Sequence, residues 1–329
     1  MSYKYKELGL SNTKEMFEKA NKNGYAVPAF NFNNMEMAQA IVEACAEMGS
    51  PVILQASTGA IKYMGYEMAA LIAKGAKDRA RLMGSDIPVA LHLDHGPDLE
   101  TVKKCIDAGF SSVMIDASHY DYEENIKITQ SVVEYAHAAA DYVTVEAELG
   151  VLAGIEDDVQ ADEHKYTNPE EVIDFVGRTK VDSLAIAIGT SHGAHKFKPG
   201  EDPKLRIDIL EKVSEKLGEF PIVLHGSSAV PPKYVTEIKT YGGELSDAIG
   251  IPDTELRKAT KSTVAKINVD TDGRLAFTAG IRKYLATNPK DFDPRKYLGA
   301  AREEMKAYYK TKIVDVFGSE GAYTKAKTK

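Results

Sequence analysis

Tryptophan is absent from the 329 residues, and cysteine occurs only twice, at Cys45 and Cys105. Two thiols without CxxC spacing build neither a disulfide framework nor a four-thiolate metal site, so both read as buried and reduced. Long hydrophobic runs are missing too. The most continuous, residues 184–188, is far too short to cross a bilayer. The opening stretch MSYKYKELGLSNTKEMFEKA has no apolar core of the signal-peptide kind. Basic excess is also lacking: the formal net charge of −8 leaves no footprint for nucleic acid or an anionic membrane. We therefore expect a cytoplasmic protein with neither nucleic-acid nor membrane partners, in which local groups hold any phosphate-bearing ligand.

What is present is an alternation. β-rich runs fall at 26–30, 52–55, 89–93, 112–115, 143–148, 184–188, 222–224 and 264–269. Between them lie segments such as NNMEMAQAIVEACAEMG and LETVKKCIDAG, apolar at three- and four-residue intervals as amphipathic helices are. Gly49, Gly84, Gly109 and Gly218 stand where those helices would stop. Near-continuous apolar strands imply a sheet covered on its outer face. The pattern predicts an α/β fold, a (β/α)8 TIM barrel forming one domain over residues 1–329. An extra N-terminal helix at about 13–23 would cross the bottom. Residues 241–252 read as an insertion, and 293–316 as a C-terminal helical extension that reaches a neighbouring subunit. A doubly wound open sheet would want a glycine-rich fingerprint after its first strand, and AFNFNN has none.

In such barrels the chemistry sits at the C-terminal ends of the strands. There the sequence places Asn31 and Asn33, Ser57, Asp94 and His95, Asp116, Glu148, the stretch TSHGAHK, His225, and Asn268 with Asp270. Three imidazoles, His95, His192 and His225, arrive from distant parts of the chain. Three histidines with an exchangeable position are a common catalytic zinc arrangement, although imidazole suits other divalent ions as well. His119, His137 and His164 read as solvated, His92 as a helix-facing or supporting group, and His195 as lying outside the metal site. Phosphate signals cluster after the seventh and eighth strands. HGSSAVPP offers backbone donors from Gly226 onward and the hydroxyls of Ser227 and Ser228. NVDTDGRLAF offers a helix start capped by Thr271 or Asp272, with the Arg274 guanidinium beside it. Lys266 shares the parity of Asn268 and Asp270, so a Schiff-base lysine is a competing reading.

LHLDHG, EAELG with the following IEDD, GTSHGAHKF, VLHGSS and KINVDTDGRLAFTAGIRK together resemble the class II, metal-dependent fructose-bisphosphate aldolases, in order from about residue 10 to DPRKYL. The resemblance implies one catalytic zinc held by His95, His192 and His225. Glu148 would be an additional or alternative ligand, and Asp116 an outer-sphere or second-site group, leaving room for a second divalent or a monovalent ion. Asp94 matches the acid/base at the C4 hydroxyl, and Glu156, on the loop after the fifth strand, matches the carboxylate that moves the ketose phosphate proton. Gly193, Lys196, Ser228, Asn268, Asp270 and Thr271 match phosphate and hydroxyl contacts, and Asn31 and Gly226 join this substrate set. Ser57 and Arg274 match the second phosphate, and Arg295 an arginine reaching across a subunit interface. Sugar bisphosphate and triose phosphates are the implied small-molecule partners, and a homodimer or homotetramer the implied assembly. Tagatose-bisphosphate aldolase is the neighbouring alternative, with DFDPRKYLGAAREEM, and Asp293 in it, favouring fructose. A non-catalytic sugar-phosphate binding barrel would have no use for both Asp94 and Glu156. Two departures from the family pattern stand out: Ala229 where glycine is more usual, and His195 where an apolar or aromatic residue is expected.

Overall fold

The computed structural model describes residues 3–150, 154–156, 159–161, 166–191, 197, 200 and 202–323, with backbone alone at 154–156 and 159–161. Its strands are β1 (Val27–Asn31), β2 (Val52–Ser57), β3 (Val89–Gly96), β4 (Ser112–Ile115), β5 (Thr144–Leu149), β6 (Gly154–Glu156), β7 (Val159–Ala161), β8 (Ser183–Ile186), β9 (Ile222–Leu224) and β10 (Val264–Val269). Eight of them close a barrel in the order β1-β10-β9-β8-β5-β4-β3-β2, and every pairing within it is parallel. The expected TIM barrel is the fold.

Helices cover the outside: α1 (Lys14–Asn23), α2 (Met35–Met48), α3 (Thr58–Met64), α4 (Tyr66–Leu82), α5 (Leu99–Ala108), α6 (Tyr122–His137), α7 (Pro169–Thr179), α8 (Ile207–Leu217), α9 (Pro232–Thr240), α10 (Asp253–Ala259), α11 (Thr271–Thr287) and α12 (Pro294–Lys312). Several begin on side-chain caps. Asn34, Asp98 and Asp121 each accept a first-turn amide, which satisfies a donor the helix leaves open. Helix α2 stops at Gly49 and α5 at Gly109, both left-handed; α4 instead ends on Met83, one residue before Gly84. The expected bottom helix is α1, whose Met16, Phe17 and Ala20 plug the barrel against Val27, Ala29, Ile53 and Ala90.

The strands are less uniformly apolar than their composition suggests. Register aligns Asn31 with Gln55, Gln55 with His92, His92 with Ser112, and Met114 with Glu146. These inward positions carry mostly polar side chains above the plug. The alternate residues Leu54, Leu91, Leu93, Val113, Val145 and Ile267 face outward into the helix-covered core.

Elsewhere the chain adds elements that periodicity missed. The segment after β2 makes two helices, broken at Gly65. The loop after β5 contains an antiparallel β6–β7 hairpin, with Glu156 paired to Val159 at its closed end. Within residues 241–252, Ile249 bridges Phe197, so this stretch is stitched to the segment that follows β8. The C-terminal extension is α12 followed by a π-helical turn, Ile313–Phe317. It lies against its own barrel: a Cβ on Gly280 of α11 would come 2.7 Å from Ala301 Cα, and Arg302, Lys306 and Lys310 bond Gln39, Glu43 and Glu47 of α2.

Candidate active site

A regular strand sends neighbouring side chains to opposite faces. Strand β3 breaks that rule where the site needs it. Its register with β4 shifts between Leu93 and Gly96, and His95 takes a left-handed φ of 49°. Such bulges re-aim a side chain. Asp94 keeps the inward parity of His92, and the bulge turns His95 to the same cavity. Gly96 makes the turn possible, because a Cβ there would collide with the Met114 carbonyl oxygen.

Asp94 is fully buried and surrounded by amides. Asn31 Nδ2 donates to its Oδ2 at 2.8 Å, Gln55 Nε2 to the same oxygen at 3.2 Å, and Asn268 Nδ2 to Oδ1 at 3.2 Å. Gln55 and Asn268 each keep a buried amide oxygen, Oε1 and Oδ1, with no protein partner among the described residues.

His95 and His225 meet edge to face, with His95 Nε2 2.9 Å from His225 Nδ1. The outer nitrogen of each ring faces a carboxylate. His95 Nδ1 lies 2.7 Å from Asp116 Oδ2 and 3.9 Å from Glu148 Oε2, while His225 Nε2 lies 2.7 Å from Glu146 Oε1. Carboxylates behind ligating imidazoles are the usual support of a metal site, since they fix ring orientation and tautomer. Ligand atoms of Asp94, His95 and His225 fall within 4.8 Å of one another, as do those of His95, Asp116 and Glu148.

Charge beneath the rim is balanced by Lys266, fully buried, whose Nζ donates to Glu146 Oε2 at 2.8 Å and approaches His92 Nε2 at 3.2 Å. Burial alone would raise the Glu146 pKa. The Lys266 ammonium and then the His225 hydrogen bond reverse this and hold the carboxyl below its ordinary range. Asp116 follows the same logic: burial raises it, but His95 and the Ser118 donors win and bring it below the usual range. Burial, reinforced by Lys266, pushes His92 well below 6.5, and its Nδ1 lies 2.8 Å from Ser112 Oγ. His92 therefore faces the barrel interior, not the helices. His119 is exposed as expected, but His137 is not free in solvent: its Nε2 lies 2.9 Å from both Asp182 and Tyr142.

The loops after β9 and β10 come together as the sequence suggested. Ser228 Oγ accepts the Asp270 amide at 3.3 Å, and Asp270 pairs with Arg274 through two bonds of 2.7 Å. Thr271 opens α11, but neither it nor Asp272 caps the helix; the N-cap is Asp270, without a side-chain bond. Asp272 instead accepts the Ala229 amide at 3.0 Å, the Val230 amide at 2.8 Å and the Tyr308 hydroxyl at 2.8 Å, with Lys312 Nζ at 3.2 Å. Ala229 is accommodated without a left-handed backbone; the positive φ, 52°, falls on Val230. Gly250 supplies the space beside it, donating its amide to the Ala229 carbonyl at 3.0 Å. Gly226, at φ 62°, lets the His225 loop touch the segment that follows β8, since a Cβ would sit 2.6 Å from the Ser191 carbonyl carbon.

Ser57 is buried at the end of β2 and spends its hydroxyl capping α3, where it accepts the Ala60 amide at 3.3 Å. Arg295 is 88% exposed and chelates Asp293, and no other described residue is bonded to its guanidinium. His164, His192, Gly193, His195 and Lys196 lie outside the described residues, as does the side chain of Glu156. Sequence alone did not single out Gln55 or Glu146, and it offered Asp272 only as a helix cap. Gln55 and Glu146 share inward parity with Ser57 and Glu148, and that two-residue spacing is the signal that marks them.

The comparisons agree with this geometry. Residues 11–322 match the family described as fructose-bisphosphate aldolase class-II. The chain is 56% identical to a fructose-bisphosphate aldolase of Treponema pallidum (strain Nichols), covering 96% of this chain and 98% of that one. It is 50% identical to a fructose-bisphosphate aldolase of Thermus caldophilus, over 93% and 97% of the two chains. Among solved structures, the YdjI aldolase of Escherichia coli K12 superposes with a TM-score of 0.75 at 28% identity, over 96% of this chain and all of that one. A barrel whose rim joins Asp94, His95 and His225, matched at this identity and coverage, belongs to the class II fructose-bisphosphate aldolase family.

Proposed function

We propose that the protein catalyses reversible cleavage of fructose 1,6-bisphosphate to dihydroxyacetone phosphate and glyceraldehyde 3-phosphate, with one zinc ion per chain. The observation that carries this reading is the 2.9 Å approach of His95 Nε2 and His225 Nδ1, each ring backed by a carboxylate, beside the buried Asp94. With both outer nitrogens donating to carboxylates, two neutral rings turn unprotonated nitrogens toward one point, an arrangement that suits a shared cation. Imidazole and carboxylate donors fit zinc. His95, His225 and His192 would hold it, Glu148 would add a ligand, and Asp116 would act through His95. A bound zinc supplies Lewis acidity toward the ketose carbonyl oxygen.

The chain's own groups do the rest. Asp94, fixed by the Asn31, Gln55 and Asn268 amides, takes the C4 hydroxyl proton as the C3–C4 bond breaks. Glu156 delivers a proton to the dihydroxyacetone phosphate carbon. The unpartnered oxygens of Gln55 and Asn268 are placed to accept substrate hydroxyls. Gly193, Lys196, Gly226, Ser228, Asp270 and Thr271 make the contacts to one phosphate and to the sugar hydroxyls beside it. Ser57 and Arg274 hold the other, joined by Arg295 from a neighbouring copy in a homodimer or homotetramer. No helix among the described residues is long and apolar enough to cross a membrane, and the buried free thiols of Cys45 and Cys105 suit a reducing cytoplasm.

The test is cleavage of fructose and tagatose 1,6-bisphosphates before and after chelation. Fructose cleavage should vanish with the metal and return with zinc. Preference for tagatose would reassign the substrate, and inactivation by borohydride with substrate would move the chemistry to Lys266.

A further inference from the structure

Lys266 is a fully buried cation inside the barrel, and the mechanism gives it no step. It sits at 0% exposure on β10, between Glu146 of β5 and His92 of β3, themselves 1% exposed. Burying an ion pair costs several kcal/mol per charge in desolvation, and well-packed apolar residues often serve stability as well or better. Stability is therefore a weak reason for the pair to be there.

Its hydrogen bonds offer a better one. An ammonium only donates. Both of its partners must then accept, which makes Glu146 Oε2 and His92 Nε2 acceptors at 2.8 and 3.2 Å. An ionised Glu146 has acceptors only, so the 2.7 Å contact at its Oε1 requires a proton on His225 Nε2. In a neutral ring that leaves Nδ1 unprotonated; this nitrogen faces His95 and can also accept from Asn268 Nδ2 at 3.2 Å. On the other side, an accepting His92 Nε2 puts that ring's proton on Nδ1, which donates to Ser112 Oγ at 2.8 Å. One cation thus sets the direction of the bonds that run from Ser112 through His92 and Glu146 to His225 Nε2.

We propose that Lys266 is a positioning residue which, through Glu146, fixes the His225 tautomer that presents Nδ1 for metal binding. This rests on the zinc reading above, and the two fail differently. If there is no zinc site, the parent protein will not compete with a chelator for zinc. If only the role of Lys266 is wrong, the parent binds tightly and Lys266→Met binds equally well.

The experiment measures zinc affinity by chelator competition, together with ¹⁵N shifts of His225 in the metal-free protein. The parent should show a neutral His225 protonated at Nε2; a ring protonated at Nδ1 overturns the proposal without any variant. Lys266→Met should lose zinc affinity by about 10–100-fold, the usual cost of removing a group that orients a ligand, and its His225 should populate both tautomers. Lys266→Arg, which keeps the charge and only donates, should recover the parent tautomer. In Glu146→Gln, where the chain of bonds is already broken, adding Lys266→Met should cost little more affinity. A Lys266→Met protein that melts lower but keeps the parent's affinity and tautomer would reduce Lys266 to a structural ion pair. Loss of cleavage at saturating zinc, with affinity intact, would make it a reacting group instead.

Discussion

His95 follows Asp94 in the chain, yet both side chains enter one cavity, because the β3 bulge holds His95 at φ 49°. Gly96 is the residue that lets β3 close on β4 there, so Gly96→Ala should disturb the site from behind. Overpacking of this kind costs roughly 1–3 kcal/mol. Urea denaturation and zinc content should both register it. A variant with parental stability and metal content would mean that the bulge absorbs a methyl group.

Asp94 is held by three amides, which can keep its place when the carboxyl is gone. Asp94→Ala should retain zinc and lose cleavage by about 10²–10⁴-fold, the usual share of acid–base catalysis. Metal analysis alongside kinetics separates the roles. Loss of the zinc would make Asp94 a ligand.

Glu156 closes the β6–β7 hairpin, beyond the strand that carries Glu146 and Glu148. If it moves the proton at the dihydroxyacetone phosphate carbon, Glu156→Gln should bind zinc and sugar bisphosphate yet exchange that proton slowly with deuterated solvent. Asp94→Ala should exchange it normally, since its own proton belongs to C4. Equal exchange in Glu156→Gln and the parent would remove Glu156 from the mechanism.

Asp272 ties the β9 loop to α12 and is depressed in pKa. Burial opposes that shift, while Lys312 and the Ala229 amide more than offset it. A carboxyl lowered on folding stabilises the fold above its unfolded value of about 3.9, and that contribution is lost as pH falls through the folded value. Asp272→Asn should destabilise the protein at neutral pH toward the lower end of about 3–5 kcal/mol, because Lys312 keeps Asp253 at 2.6 Å. The gap between the two proteins should hold from neutral pH to about pH 5, begin to narrow at about pH 4 and close as pH falls through the lowered folded value. A gap independent of pH would assign the loss to packing.

The alternation of strands and helices was legible because amphipathic spacing repeats through nearly every βα unit, and the rim was legible because its polar residues end apolar runs. The hidden parts have physical causes. Glu146 and Lys266 lie inside strands, where composition alone does not say which face is wet. The bulge at His95 leaves no composition signal beyond Gly96. Helix α10 has seven residues, too few for a period to show, and the β6–β7 hairpin comprises two three-residue strands within a polar stretch. Asp272 has the look of a helix cap and holds the neighbouring loop instead, a contact between elements that no local pattern encodes.

Along β3, β5 and β10 the inward residues are His92, Asp94, Glu146, Glu148, Lys266 and Asn268, while Leu91, Leu93, Val145, Ala147, Ile267 and Val269 lie in the outer core. Adjacent codons therefore answer to different requirements. In a deep mutational scan, these outward positions should lower the amount of protein in the cell, whereas Asp94, Glu148 and Asn268 should lower turnover per molecule at near-normal abundance. The two kinds of damage alternate residue by residue, so substrate preference can drift at the rim while the shell that keeps the protein folded stays unchanged.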